Sequence, residues 1–223
     1  AAALSQQRIN DGTEGDFATD LKLDLAEALS MDPGKVAESL EVFEQAYRES
    51  PEDDLAARAL YNAAFSALQV GQTKRSLELA DEFLKKFPLD VLAIDVKFVA
   101  AEAHFAAGDV KQSSQVYTEL LNESEASNPQ RPVWVLRAAA ARSAVREFDE
   151  AIVLIDRELK NLQEPNQRAE AHLLAGQAHM MASRPKDAAI AFASAHQANP
   201  SGPRASEARL LEGQALMASG KRD

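Results

Sequence analysis

Four histidines, His104, His172, His179 and His196, are the side chains best suited to ligate a metal or move a proton. His172 and His179 stand seven residues apart, which is two helical turns, so both rings lie on one helix face. At ~1.5 Å of rise per residue they are ~10 Å apart along the axis. One zinc ion cannot bridge that gap, and no His-Glu-x-x-His run supplies a closer pair. Arg131, Arg137, Arg142 and Arg146 form a basic cluster whose guanidinium forks could take a carboxylate or phosphate, although solvated helix charge is the simpler account. The acidic stretch 11–16 lacks the alternating oxygen ligands of a calcium loop. No phosphate-cradling glycine loop and no nucleophile elbow occurs. Asn122-Glu123-Ser124 fits a glycosylation sequon, a pattern too short to carry weight alone. The chain has no cysteine, which excludes disulfides, thiolate zinc sites and thiol nucleophiles. The residues therefore predict no catalytic site, no cofactor site and no metal site.

Composition narrows the partners. The 223 residues carry a formal charge of −11, and residues 1–90 hold 18 acidic against 9 basic side chains. Such a chain repels phosphate backbones, so nucleic acid is not an expected partner. No apolar run approaches the ~20 residues that cross a bilayer. The longest candidate, 133–145, is interrupted by Arg137 and Arg142, so no direct membrane insertion is expected. The chain starts with three alanines and no methionine, as after removal of a signal or excision from a longer protein.

The elements that position these side chains follow from a spacing. Gly34, Gly71, Gly108, Arg146, Ser183 and Gly220 stand 37, 37, 38, 37 and 37 residues apart. Each follows a helical stretch rich in small residues and precedes a second helical stretch. A period in this range with two helices per period is the mark of a helical repeat array. The fullest repeat, 169–202, places Ala188, Phe192 and Ala195 at i, i+4 and i+7, one face of a helix that Pro200 ends.

That repeat resembles a tetratricopeptide repeat (TPR). Gly176, Ala188 and Ala195 fill its small slots, Phe192 its large slot and Pro200 its closing proline. Residues 20–53, 57–90, 94–127 and 132–165 match less fully, and 206–220 repeats a first helix with Gly213 in the small slot. In 20–53 a glutamate, Glu27, stands at the first small slot. In 132–165 Glu158 stands where the family has alanine. In 57–90 the large and small residues of the second helix, Phe83 and Ala80, exchange places. The resemblance implies an all-α fold, a right-handed superhelical α-solenoid of about five and a half antiparallel helix pairs. It also implies one solenoid domain over 20–223, with 1–19 as a flexible lead-in. His104 and His179 fall where the family has a tyrosine, which suggests packing.

The resemblance further implies a protein–protein interaction scaffold, not an enzyme, with a concave face lined by the first helices. Arg58, Tyr61, Asn62, Phe65, Asp95, Phe98, Glu102, Phe105, Arg137, Leu173, Gln177, Met180 and Met181 are the expected partner-binding residues. Core packing competes for any one of them, because i, i+4 pairs such as Tyr61–Phe65 and Leu173–Gln177 also mark a buried face. The lysine and asparagine that clamp chaperone C-termini in one subfamily are absent from the matching positions. The style of residues 87–121 is similar to lengthened repeats of bacterial envelope-assembly proteins, which points to the periplasm or cell envelope, with the cytoplasm as the alternative. Two alternatives compete. One is the repeat arm of a larger enzyme or signalling protein. The other is self-association through the last helix, where Leu210, Leu211, Leu216 and Met217 are expected to be partly uncovered.

Overall fold

The computed structural model describes residues 18–52 and 54–220. Among these there is no strand, and eleven α-helices follow one another. They are α1 (Ala18–Ser30), α2 (Val36–Glu49), α3 (Ala56–Gln69), α4 (Thr73–Lys86), α5 (Ala93–Ala106), α6 (Val110–Glu123), α7 (Arg131–Ala144), α8 (Phe148–Glu158), α9 (Pro165–Met181), α10 (Pro185–Ala198) and α11 (Ala205–Ala218). Short 3-10 turns, Pro33–Lys35 and Leu159–Asn161, follow α1 and α8. The residues expected as a lead-in lie mostly outside the described part, and α1 opens at Ala18, two residues before the first expected repeat.

The recurring turn is built the same way four times. After α3, Gln72 N donates to Ala67 O and Gly71 N donates to Leu68 O. The same pair of bonds recurs from Asp109 and Gly108, from Glu147 and Arg146, and from Arg184 and Ser183. This is the Schellman cap, which absorbs the last carbonyls of a helix by placing one residue in the left-handed region. Gly71, Gly108 and Gly220 take φ of 75°, 82° and 79°, and Arg146 and Ser183 are forced to 68° and 60°. The spacing in the sequence is thus a spacing of left-handed residues.

Gly34 departs from this pattern. It sits inside the 3-10 turn, where its N–H donates to Oδ1 of Asp32 at 2.9 Å, and it is not among the positive-φ positions. Pro33 sets the geometry there, since its ring fixes φ and opens a new turn in place of a left-handed cap. At Ser183 the left-handed backbone carries a Cβ that glycine would avoid. Ser183→Gly is therefore expected to stabilise the fold by about 0.5–1 kcal/mol, read as a higher urea midpoint with unchanged slope.

Cα packing divides the chain into two compact units, 1–116 and 117–223, and the division falls within α6. In the first unit each helix from α1 to α5 packs on its sequence neighbour, and α3 also touches α5. In the second unit α7 to α11 pack in the same consecutive way, and α7 also touches α9. The connections are a few residues long, so neighbouring helices run antiparallel. Small residues allow the close approach. Ala59, Ala63, Ala64 and Ala67 are completely buried on α3, and Leu40, Phe43, Leu60, Leu79 and Phe83 fill the remaining space in that core. Ser76 meets the α3 backbone at its small slot, its hydroxyl donating to Ala64 O at 2.9 Å. The exchange of Ala80 and Phe83 does not disturb this packing, because both are buried on one face of α4. In the second unit Leu173, Ala188, Ala189, Phe192, Ala195, Ala208 and Ala215 form one cluster across α9, α10 and α11.

Candidate functional site

The first unit brings eight of the expected binding residues onto two helices in contact, α3 and α5. Tyr61 and Phe65, one turn apart on α3, stack with ring centroids 6.4 Å apart and planes inclined by 16°. Phe65 is 37% exposed and Phe105 on α5 is 41% exposed. Asn62, Phe98 and Glu102 are half-buried. Two turns separate Phe98 from Phe105, with Glu102 on the same stripe. Arg58 is tied to the preceding first helix, its Nε donating to Glu27 Oε1 at 2.8 Å and its Nη2 donating to the same oxygen. Glu27, misplaced as a small residue, thus acts as a link between α1 and α3. Tyr61 on α3 and Asp95 on α5 lie on helices in contact, near enough for the carboxylate charge to act on the phenol. Burial first, and then the Asp95 charge, push the Tyr61 phenol above its ordinary value. Burial also raises the Asp95 carboxyl. The arrangement is a partly exposed aromatic strip with carboxylates set into it.

The second unit offers a different surface. Arg137 and Gln177 are exposed, Met181 is 60% exposed, and Met180 is half-buried against the core cluster. Leu173 departs from the expected set. It is 1% exposed and belongs to the cluster around Phe192, so it packs the core instead of meeting a partner. Its slot is one turn ahead of Gly176, against which the Phe192 ring of α10 sits.

The arginines separate into unlike roles. Arg131 is 8% exposed and forks onto Glu158, with Nη2 donating to Oε1 at 3.0 Å and Nε donating to Oε2 at 3.3 Å. Its Nη1 donates to Leu121 O at 2.8 Å, Ser124 Oγ at 2.9 Å and Ser124 O at 3.2 Å. Glu158 also accepts from Arg157 and from Asn161 Nδ2. A hollow of about 370 Å³ opens beside this network, lined by Asn128, Arg131, Glu158, Asn161 and Gln167 among others. Arg131 and Glu158 bond to each other at its wall, which makes a clasp at the foot of α7. Arg142 donates to Thr118 Oγ1 and to Glu150 O. Arg146 lies beyond the end of α7, in the left-handed turn, with its guanidinium carbon 5.7 Å from the Phe148 ring centroid. It does not share a helix face with Arg142.

His104 Nδ1 stands 3.6 Å from Asp109 Oδ2, and among the described residues no three histidine or carboxylate side chains are placed to hold an ion together. His172 and His179 are half-buried. Burial, and after it Arg168, lowers His172 below its ordinary 6.5, with Asp156 opposing. Burial and then Arg184 lower His179, with Asp187, Asp156 and Asp149 opposing. A lowered folded value means that the unfolded chain binds more protons in this range, so stability falls as pH drops from about 6.5 through the folded values. The urea midpoint of the second unit, followed through Trp134 fluorescence, is expected to decline in that window. Replacing both histidines with glutamine should flatten the decline.

Comparison with known proteins adds the family. A family model for a tetratricopeptide repeat-like domain matches residues 36–214. No curated protein sequence matches the chain. Solved structures do, at low identity. YrrB, described as a TPR protein with an unusual peptide-binding site, is 15% identical with a TM-score of 0.69, over 94% of this chain and 100% of that one. MamA from Desulfovibrio magneticus RS-1 is 15% identical with a TM-score of 0.71, over 85% and 98%. A putative kinesin light chain protein of Podosopora anserina with nearly identical TPR-like repeats is 17% identical with a TM-score of 0.70, over 86% and 100%. At these identities the likeness is one of fold.

Proposed function

The chain belongs to the tetratricopeptide repeat-like family, and from that premise we propose that it is a non-catalytic scaffold whose first helices take up a peptide or an extended protein segment. The observation that carries this reading is the aromatic strip of the first unit. Phe65 and Phe105 are large rings left 37% and 41% exposed on two helices in contact. Rings of this size at a protein surface gain most when a partner covers them. Arg58, Tyr61, Asn62, Asp95, Phe98 and Glu102 complete that face, and Arg137, Gln177, Met180 and Met181 extend the reading to the second unit. Methionine adapts to apolar side chains of varied shape. The likeness to YrrB supports a peptide as the occupant. The same reading treats 20–223 as one repeat array, 1–19 as its lead-in and the bacterial envelope as its place of work.

A random-peptide display selected on the protein tests it. Selected peptides should lose about tenfold or more in affinity, roughly 1.4 kcal/mol, for a Phe65→Ala/Phe105→Ala variant whose circular dichroism is unchanged. Equal binding to the variant would move the site off this face.

A second reading is favoured by one feature of α11. Leu210 and Met217 are 62% and 66% exposed, while the residue in the Leu210 slot of the preceding repeat, Leu173, is buried. We propose that two copies can cover this face mutually. Sedimentation velocity over a concentration series should show a dimer that Leu210→Glu/Met217→Glu abolishes. A wild-type monomer throughout would dismiss it.

A further inference from the structure

We propose that the segment taken up by the first unit carries a lysine or arginine next to an apolar residue, the cation seated between the Tyr61 and Phe65 rings of α3 and the carboxylate of Asp95 on α5. The inference rests on the proposed peptide-binding face and names its occupant by charge and shape.

Asp95 is half-buried at the start of α5, beside the ring of Tyr61. Among the described residues no cation is bonded to it, while the cation of the same slot one repeat earlier, Arg58, is held by Glu27. Withdrawing a carboxylate from water costs free energy unless a partner answers its charge. Half-burial at the start of α5 imposes that cost and sets the Asp95 carboxyl above its ordinary value. The neighbouring first helix α1 adds a carboxylate at Asp24, which is exposed. An acidic segment would be repelled here. A purely apolar segment would cover Phe65 and Phe105 while leaving Asp95 drier and still unanswered. A segment with both a cation and an apolar side chain meets both requirements.

The geometry suits a cation for a second reason. The faces of Tyr61, Phe65 and other aromatic rings carry negative potential, so a cation over a ring is attracted, more so with a carboxylate near by. The first unit already uses this combination internally. Lys86 Nζ lies 5.5 Å from the Tyr47 ring centroid and 5.6 Å from that of Phe87, and it donates to Glu52 Oε1 and Pro51 O at 2.8 Å and 2.7 Å. That lysine is enclosed by two rings, a carboxylate and a carbonyl. The strip at Tyr61, Phe65 and Asp95 presents rings and a carboxylate with the cation missing. The acidic balance of residues 1–90 would also steer a basic segment towards this half of the chain.

Three labelled peptides of equal length and disordered sequence test the proposal by fluorescence anisotropy on the full chain. One contains leucine and arginine, one leucine and glutamate, one serine and arginine. The leucine–arginine peptide is expected to bind most tightly. Asp95→Asn should weaken it about tenfold and flatten its salt dependence up to about 0.5 M, where screening acts within a few Å. Asp95→Glu should restore most of the binding. Glu38→Gln/Glu41→Gln, which removes more charge from exposed positions of α2, should change little. Equal binding of the leucine–glutamate or serine–arginine peptide, or indifference to Asp95→Asn, overturns the cationic preference. If such peptides still depend on Phe65 and Phe105, the face survives and only its occupant is wrong. If no peptide depends on those rings, the face itself is wrong.

Discussion

Replacing Glu158 with alanine is expected to destabilise the second unit by about 3–5 kcal/mol, although alanine is what the family has at that slot. The reason is Arg131. Its side chain is 10% exposed and that of Glu158 is 6% exposed. Removing the carboxylate leaves a guanidinium buried without its counter-charge, at a place where it cannot reach water without unpicking its bonds to Leu121 O and Ser124. Removing both charges should be far milder. Arg131→Met/Glu158→Leu is expected to recover most of the loss, because a well-packed apolar pair replaces a buried ion pair at little net cost. Urea titrations of the two variants and the wild type decide the matter. A cost below about 1 kcal/mol for the single variant would mean that the pair is worth no more than one at the surface.

Acid gives an independent reading of the same pair. Burial alone would raise the Glu158 carboxyl, but hydrogen bonds from Arg131 and Asn161 and the charges of Arg131 and Arg157 outweigh it, so the net value lies below the ordinary 4.5. Stability from this group is complete above about 4.5 and is lost as pH falls through the folded value. The histidine loss lies at higher pH and is separable from it. The double variant should keep the first loss and lose the second.

The architecture was legible because it depends on repetition. A helix pair cannot bury its apolar face alone, so the residues that let helices approach recur in phase, and the eye finds them without knowing any single contact. The place of the turn was legible for the same reason, even where Arg146 and Ser183 occupy it, because position in the period outweighs residue type; its left-handed backbone, and the departure at Gly34, were not. Glu158 was visible as a departure from the pattern, but its partner was not. Arg131 stands 27 residues away on another helix, and nothing local ties the two. Leu173 was read as surface for a related reason. Periodicity says which side of a helix is apolar, and on a helix packed by neighbours on several sides it does not say which apolar residue stays in the light. The aromatic strip was found through its slots on α3 and α5. The Asp95–Tyr61 neighbourhood that gives it chemical character was not legible, because it joins two repeats.

The small-large-small alternation of α10 leads to the second large effect. Phe192 is 1% exposed and seats its ring on Gly176 of α9, so close that a Cβ built there would lie 2.5 Å from Phe192 Cε1. Phe192→Ala is expected to cost about 3–5 kcal/mol, for the lost burial and for a cavity that rigid helix pairs cannot close. Gly176→Ala alone should cost about 1–3 kcal/mol, since a buried ring has no room to yield. In the Phe192→Ala background the same change should become favourable by about 1 kcal/mol, the ordinary gain of alanine over glycine in a helix. The sign reversal is the diagnostic, and a double-mutant cycle measures it directly. Gly213 supplies the control. It occupies the same slot on α11, and a Cβ there would meet nothing within 4 Å. Gly213→Ala should therefore stabilise the wild type by about 1 kcal/mol. If Gly176→Ala proves equally favourable in the wild type, contact with Phe192 is not what requires glycine on α9. If Gly213→Ala proves costly, something covers α11 in solution, and the mutual capping of two copies becomes the first explanation to test.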